Sequence, residues 1–325
     1  MPAAAAAQEL SGDAAVELRY LDPAAKGNAE AAHSRKEAGG ARGDSTGVAV
    51  TIRDGRTRLE QRLPPMSQLD STGFGYARLS ASEREGLASF DPFEVEHDEA
   101  LRTQYKNIVA RAVQRLTGAA WARATTVVLR RSSVVGVHTL PSGDNAPRGP
   151  VNDVHCDFTP EARAIGLFEQ LGDEVGLGGC RWQVINVWRN VASDPVAQWP
   201  MAVCDASSVA PADLVARVSP ENGNTIYNVV HNPRHRWFSY PGLTSDEMLL
   251  FKQYDSDATA LRFTPHTAFA HPRSRPEAPI RQSCEARVLC FFDPERQRGG
   301  ALRKLAAYGK GAVDPTYTAA PSARL

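Results

Sequence analysis

Residues 154–159 read Val-His-Cys-Asp-Phe-Thr, and this is the most informative segment of the chain. On a β-strand, residues two apart lie on the same side, so the His155 imidazole and the Asp157 carboxylate would point together. A third ligand from a distant strand would complete a face of two histidines and one carboxylate. This ligand set is typical of non-haem Fe(II) sites that keep open coordination positions. The segment therefore predicts a metal centre built on β-strands.

We expect the third ligand to be His266, which lies in the segment Thr264-Pro265-His266-Thr267. A bare pair of histidine and aspartate two residues apart also arises by chance. The alternative is therefore a structural His155 beside a surface Asp157, with no metal.

The pattern around this segment favours an antiparallel β fold. Apolar residues recur at helical spacing between residues 92 and 119, where Gly118 ends the run, and a second helix is predicted over 160–171. Short strands separated by Pro, Gly, Asn and Asp follow, without alternation of strand and helix. They are predicted at 125–131, 181–191, 225–231, 248–254 and 281–292. We therefore expect a mainly β protein with flanking helices, built as an antiparallel sandwich or barrel and not as a parallel sheet.

The composition divides the chain into an N-terminal arm and one domain. Residues 1–47 are rich in Ala, Gly and charge, and we expect them to form a flexible arm. Alternation over 47–52 before the turn residues Asp54 and Gly55 indicates an early β-hairpin. Residues 48–325 are expected to form a single domain with helical support at its N-terminal side and a C-terminal tail.

Charge and cysteine content narrow the class of protein. The 325 residues carry 37 Lys and Arg against 37 Asp and Glu, so no basic surface indicates a nucleic-acid partner. No apolar run of about 18 residues predicts a membrane span. The Ala-rich opening lacks the basic start of a signal peptide, so we expect a cytoplasmic location. The five cysteines never form a C-x-x-C pair, which argues against a disulfide framework and a thiolate zinc site. Nothing in the sequence indicates the oligomeric state.

The C-terminal predicted strand carries an unusual row of polar residues. Alternation places Arg281, Ser283, Glu285 and Arg287 on one face, and such groups on an inward face need an anionic partner or one another. The fork of Arg281 and the Ser283 hydroxyl suit the distal carboxylate of 2-oxoglutarate. We therefore predict that Arg281, Ser283 and Arg287 bind this cosubstrate. The alternative is an internal pair between Glu285 and one of the two arginines.

Six ordered segments resemble a known family. The chain is similar to the hydroxylase/desaturase family named after the cephamycin methoxylase-associated subunit and the aspergillic-acid hydroxylase, over residues 66–292. The resemblance implies a double-stranded β-helix (jelly-roll, cupin-like) core and an enzyme that uses Fe(II), 2-oxoglutarate and O₂. It also implies oxidation of an unactivated C–H bond of a small molecule in secondary metabolism, by hydroxylation, desaturation or oxidative cyclisation. The segments span residues 154–159, 186–189, 204–206, 246–256, 264–269 and 281–287.

The chain departs from the family pattern at two positions. Asn190 follows Trp188-Arg189 where the family tends to have proline, and His271 precedes Pro272 where an acidic residue is usual. His271 therefore competes with His266 as the third ligand. Its ten-residue distance to Arg281 is similar to the spacing in other 2-oxoglutarate oxygenases.

Three further residues are predicted to contact the substrate. Arg189 could bind a carboxylate of the substrate or the cosubstrate. Tyr254 lies on a predicted strand and could border the substrate. Either Arg130 or Arg131 must face inward, and we choose Arg131.

Other functions remain open at this stage. They are a 2-oxoglutarate-independent non-haem iron oxidase, a non-catalytic cupin-like binding protein, and a zinc hydrolase, for which no general base is evident.

Overall fold

The computed structural model describes residues 10–27, 44–88, 98–132, 149–218 and 225–293, which contain thirteen strands and four α-helices. The helices are α1 (Pro65–Thr72), α2 (Ala81–Leu87), α3 (Glu99–Thr117) and α4 (Arg163–Glu174). The first seven strands are β1 (Ala14–Leu21), β2 (Ser45–Asp54), β3 (Phe74–Arg78), β4 (Trp121–Arg131), β5 (His155–Cys156), β6 (Arg181–Asn190) and β7 (Met201–Cys204). The other six are β8 (Leu214–Val218), β9 (Thr225–Val229), β10 (Trp237–Ser239), β11 (Glu247–Asp255), β12 (His266–Ala268) and β13 (Gln282–Phe292).

The strands form two sheets that pack face to face. The larger sheet has the order β1-β2-β10-β7-β12-β5-β9-β8, and the smaller has the order β3-β11-β6-β13-β4. Apolar side chains of both inner faces form one cluster, in which Trp188 and Phe251 of the small sheet join Val203 and Phe238 of the large one. This curled arrangement confirms the predicted double-stranded β-helix core with flanking helices.

Helix α3 covers the outer face of the small sheet. The Asp98 side chain accepts hydrogen bonds from the first backbone N–H groups, and Gly118, at a φ of 71°, ends the helix in the left-handed conformation. Its buried side chains pack against Ile185, Val187 and other alternate residues of the small sheet. Because side chains alternate along a strand, the residues between them face the interior. The packing of α3 therefore determines which polar residues of β6 and β13 point inward.

The structure bears out the predicted helices and strands and corrects the N-terminal arm. Each of the five predicted strands coincides with β4, β6, β9, β11 or β13 to within a few residues. Residues 14–21, expected to be loosely held, instead form an edge strand that pairs antiparallel with β2. Leu18 and Tyr20 are buried there beside Trp237, so the sheet supplies the apolar contacts that the arm lacks alone. β2 therefore pairs with the segment that precedes it in the chain, and not with a segment after the turn predicted at Asp54 and Gly55. The rest of the predicted domain division stays a prediction.

In the described parts of the chain, no helix combines the length and apolarity needed to cross a bilayer. The five cysteines are free thiols, and four of them are buried.

Candidate active site

Two neighbouring strands of the large sheet bring the predicted ligands together. β5 pairs antiparallel with β12 so that His155 lies directly opposite His266, and their rings are 4.4 Å apart. Asp157 follows β5 on the same side as His155. Its Oδ1 atom is 3.4 Å from His155 Nε2 and 3.9 Å from His266 Nε2. One ligand atom from each residue lies within 4.8 Å of the others, close enough to hold a single ion.

Backbone carbonyls orient both imidazoles. Nδ1 of His155 is 2.8 Å from the Asp153 carbonyl oxygen, and Nδ1 of His266 is 3.0 Å from that of Thr264. Donation from each Nδ1–H leaves the Nε2 lone pair directed at the cluster, as metal-binding histidines require. Burial and the neighbouring His155 lower the pKa of His266 to about 4. His266 is therefore a neutral imidazole at neutral pH, the form that binds a metal.

Arg287 holds the second oxygen of Asp157. Its Nε and Nη2 atoms donate to Oδ2 at 3.2 and 2.8 Å. Burial would raise the pKa of the Asp157 carboxyl, but the Arg287 charge and the His155 contact keep that pKa well below its usual range. The backbone N–H of Asp157 donates to Gln253 Oε1 at 3.3 Å. These contacts keep Asp157 ionised and leave Oδ1 facing the histidines. Arg287 thus contacts a predicted metal ligand. This contact explains its position without the cosubstrate or Glu285, which were the partners considered from the sequence.

Arg287→Ala is expected to weaken Fe(II) affinity by about 10- to 100-fold, because groups that orient a metal ligand typically have effects of this size. Anaerobic competition with a chromophoric chelator measures this affinity. Arg287→Lys keeps the charge but loses the second contact, so we expect a smaller loss. An alanine variant with unchanged iron affinity and a selective loss of 2-oxoglutarate binding would instead identify Arg287 as a cosubstrate residue.

Arg281 is a buried cation without an anionic partner among the described residues. It lies just before β13 and is 2% exposed. Its Nε donates to Ser283 Oγ at 3.1 Å and its Nη1 to the Trp199 carbonyl at 2.5 Å, whereas Nη2 is buried and has no partner. Burial and the nearby Arg130 lower its pKa to about 9, so it remains charged at neutral pH. A buried charge normally has a counter-ion.

Arg130 neutralises Glu285, which corrects two predictions. Arg130 Nε and Nη2 bind the two Glu285 oxygens at 3.0 and 3.2 Å, and Nη1 donates to the Gly149 carbonyl. The predicted internal pair of Glu285 with Arg281 or Arg287 is therefore replaced by a pair with the neighbouring strand β4. Because successive residues of a strand face opposite sides, Arg131 is exposed and the inward residue is Arg130. The structure does not support the choice of Arg131 for substrate binding.

Arg189 lies on the outer face of β6, away from the cluster. Its Nη1 donates to the Tyr105 hydroxyl of α3 at 3.3 Å, and its Nη2 donates to the Ser245 carbonyl at 2.7 Å. The structure therefore does not support a substrate-binding role for Arg189. The prediction failed because the identity of the inward face of β6 depends on where α3 packs.

Tyr254 faces the interior because the β11 register shifts between Lys252 and Tyr254. Its ring stacks on Trp182 at 4.9 Å, and its hydroxyl accepts a hydrogen bond from Arg262 at 2.5 Å. It belongs to the apolar cluster that also contains Phe158, the residue after Asp157. Its role in substrate binding stays a prediction.

His271 lies apart from the three clustered residues. Its ring packs on Phe269 at 5.9 Å, and its Nδ1 accepts a hydrogen bond from the Arg273 backbone N–H. It lines a small cavity with Leu10 and Ile52 on another part of the large sheet. The structure thus brings His266, and not His271, beside His155.

Three residues near the cluster were not chosen as site residues from the sequence: Gln253, Asn186 and Arg130, which was the alternative to Arg131. The Asn186 carboxamide is fully buried, and neither its Nδ2 nor its Oδ1 has a partner among the described residues. The available signal was an amide placed between two aliphatic residues, Ile185 and Val187. Its inward direction became clear only from the pairing of β6 with its neighbours.

The site combines two histidines and a carboxylate on a double-stranded β-helix with a buried arginine before the last strand. This combination is typical of metal-dependent oxygenases. The model of the family described as oxidoreductase/YMDC permease-like domain matches residues 18–291. The hydroxylase/desaturase efuI of Hormonema carpetanum is 30% identical over 267 residues, which cover 75% of this chain and 89% of that protein. The Fe(II)/2-oxoglutarate-dependent dioxygenase nvfI of Aspergillus novofumigatus is 31% identical over 235 residues, or 69% and 77% of the two chains.

A solved structure agrees with these relatives. The iron and alpha-ketoglutarate-dependent endoperoxidase NvfI superposes with a TM-score of 0.67 and 25% identity, over 86% of this chain and 98% of that chain. The chain therefore belongs to the oxidoreductase family of these proteins, and its enzyme class is that of the Fe(II)/2-oxoglutarate-dependent dioxygenases.

Proposed function

We propose that this chain binds Fe(II) through His155, Asp157 and His266 and 2-oxoglutarate through Arg281, and that it oxidises an unactivated C–H bond of a small molecule with O₂. The observation that carries the proposal is the buried Arg281 guanidinium, whose Nη2 has no partner among the described residues. The names of nvfI and of the solved structure NvfI contain the same cosubstrate and metal. We further propose that the reaction belongs to secondary metabolism.

The donor set fits the metal. Two imidazoles and one carboxylate suit Fe(II) and leave positions for the cosubstrate and O₂. When bound, the iron supplies the O₂ activation that oxidation of an unactivated C–H bond requires. The role of the protein is to hold this ligand face and to limit the access of water. The Phe251 ring lies 4.6 Å from that of His266, whose side chain is only 3% exposed.

The charges around the cluster fit a dicarboxylate. Arg287 pairs with Asp157 and Arg130 pairs with Glu285, so each buried carboxylate already has its own cation. Arg281 is the remaining cation of this set, and its free Nη2 and the Ser283 hydroxyl can bind a carboxylate. Ser283 is therefore proposed to assist Arg281, whereas Arg287 is assigned to Asp157.

The exposed side of the cluster suggests where the organic substrate enters. The Arg287 side chain is 28% exposed and that of Asp157 is 12% exposed, in contrast to the enclosed His266. The buried Phe158 ring packs 5.3 Å from the Arg287 guanidinium carbon. We propose that the substrate approaches the cluster on the side of Arg287.

Anaerobic reconstitution tests the proposal. Fe(II) and 2-oxoglutarate added together should produce the weak visible charge-transfer band of the iron chelate, and glutarate, which lacks the keto group, should not. On exposure to O₂ the protein should release succinate. Absence of the band in protein that has bound iron would overturn the proposal, and O₂ consumption without succinate would identify a 2-oxoglutarate-independent iron oxidase.

Hydroxylation, desaturation and oxidative cyclisation are the outcomes expected from this chemistry. The cytoplasmic location and the finer resemblance to the cephamycin methoxylase-associated subunit stay predictions.

A further inference from the structure

Asn186 faces the metal cluster from the opposite sheet. In the small sheet it pairs with Phe251 of β11 on one side and with Arg287 of β13 on the other. Directly paired residues of antiparallel strands point to the same side. Phe251 packs against His266, and Arg287 binds Asp157, so the side chain between them is directed at the same cluster.

The Asn186 carboxamide has an unmet need for hydrogen bonds. The residue is 0% exposed, and both amide atoms lack a partner among the described residues. Exchanging the amide oxygen and nitrogen would not change this, because both atoms are unpaired. Buried side-chain amides nearly always have a partner, and each exception calls for an explanation such as a missing ligand.

Unpaired donors continue along the same face towards Arg281. Trp188, two residues beyond Asn186 on β6, also has a buried Nε1–H without a partner in the described chain. The Arg281 guanidinium carbon lies 5.3 Å from the Trp188 ring and presents the unpaired Nη2. The three donors therefore form a row with Asn186 at the metal end and Arg281 at the far end.

We propose that Asn186 is a cosubstrate-binding residue that donates a hydrogen bond to the metal-bound keto-acid end of 2-oxoglutarate. This inference rests on the proposed function and adds the residue that holds the end opposite Arg281. A dicarboxylate fits the row because its two ends are anionic and the donors line the stretch between them. The organic substrate is a poorer match for Asn186, because the cluster is exposed on the side of Arg287 while Asn186 is completely enclosed.

The test compares full-length wild-type protein with Asn186→Leu, which has a similar volume and no polar atoms. Anaerobic titration of 2-oxoglutarate into the Fe(II)-loaded proteins, followed by the charge-transfer band, should show about 10- to 100-fold weaker binding in the variant. At saturation the maximum of the band should shift, because a hydrogen bond to the chelating group has been lost. Fe(II) affinity without 2-oxoglutarate should not change.

Thermal unfolding of the metal-free proteins separates ligand binding from a structural role. Replacing an unpaired buried amide by an apolar group of similar shape is neutral or stabilising. Asn186→Leu should therefore unfold at the same or a higher temperature than wild type while it binds 2-oxoglutarate more weakly. If this variant does not fold, Asn186→Ala removes the amide without adding bulk and serves the same comparison.

Two control variants sharpen the result. Asn190 lies on the same face of β6, but its amide is already paired with the carbonyls of Asp194 and Leu243 and with the Ala192 N–H. Asn190→Ala should lower stability and leave 2-oxoglutarate affinity unchanged. Arg281→Lys should weaken affinity without moving the band, because it acts at the far carboxylate. Wild-type affinity and band position in the Asn186 variants would overturn this inference alone, whereas a wild-type protein that shows no band would overturn the proposed function.

Discussion

Asp157→Asn is expected to abolish turnover and to reduce iron binding severely, and His155→Ala and His266→Ala are expected to do the same. Each change removes one of the three donors whose atoms lie within 4.8 Å of one another. Two protein ligands cannot hold a facial Fe(II) site that three define. Asn is preferred to Ala at position 157 because it keeps the shape beside Arg287 and removes only the charge. Iron content after anaerobic reconstitution and succinate release measure the two effects.

His271→Ala is the matched control for this series. His271 is buried but lies against Phe269, away from the cluster, so the variant should keep its iron and most of its activity. The metal assignment would be wrong if His266→Ala retained iron while His271→Ala lost it. Normal iron content in the Asp157 or His155 variant would contradict it equally.

Arg281→Ala is expected to raise the KM for 2-oxoglutarate by a hundred- to several-thousand-fold, with a much smaller change in the KM for the organic substrate. The guanidinium is 2% exposed and has no other anionic partner in the described chain, so its removal would leave a carboxylate in a pocket with little water. Breaking a buried charge pair of this kind typically costs about 3–5 kcal/mol. Steady-state kinetics with each substrate varied in turn measure the difference.

Two variants serve as comparisons for Arg281. Arg281→Lys should restore part of the affinity, since an ammonium keeps the charge but loses the fork that reaches Ser283 and the cosubstrate together. Arg189→Ala removes another buried arginine of the small sheet, one that binds Tyr105 and Ser245 on the outer face. It should lower stability and leave the KM for 2-oxoglutarate unchanged. A selective 2-oxoglutarate defect in the Arg189 variant, with none in the Arg281 variant, would show that the cosubstrate binds elsewhere.

Local sequence patterns were sufficient to predict those features that depend on residues close in sequence. The helical spacing before Gly118 predicted α3, and the alternation over 281–292 predicted β13, because the helical period and the strand period follow from backbone geometry alone. His155 and Asp157 were found for the same reason: residues two apart on a strand must share a side. The resemblance over residues 66–292 narrowed the antiparallel β fold to a double-stranded β-helix and agreed with the cosubstrate predicted from Arg281 and Ser283.

The pairing of charged side chains on different strands could be seen only in the tertiary structure. Arg281, Ser283, Glu285 and Arg287 lie in one stretch of sequence, yet each of the three charged residues has a different environment: Glu285 binds Arg130, Arg287 binds Asp157, and Arg281 has no anion among the described residues. Charge alone could not distinguish these pairings, because an arginine binds whichever carboxylate the sheet register brings to it. The same limit applied to Arg189, whose direction is determined by the face on which α3 packs.

The sequence by itself thus determined the type of fold, the pair His155 and Asp157, and the polar face of the last strand, since periodicity and ligand chemistry are local properties. Only the tertiary structure showed that His266 and not His271 lies beside His155, that Arg130 and not Arg131 faces inward, and that Asn186 is buried without a partner among the described residues. The physical reason is that these distinctions depend on strand register. A shift of one residue reverses the side to which every side chain points, and the register is set by contacts between segments more than 100 residues apart, such as His155 with His266 and Asp157 with Arg287.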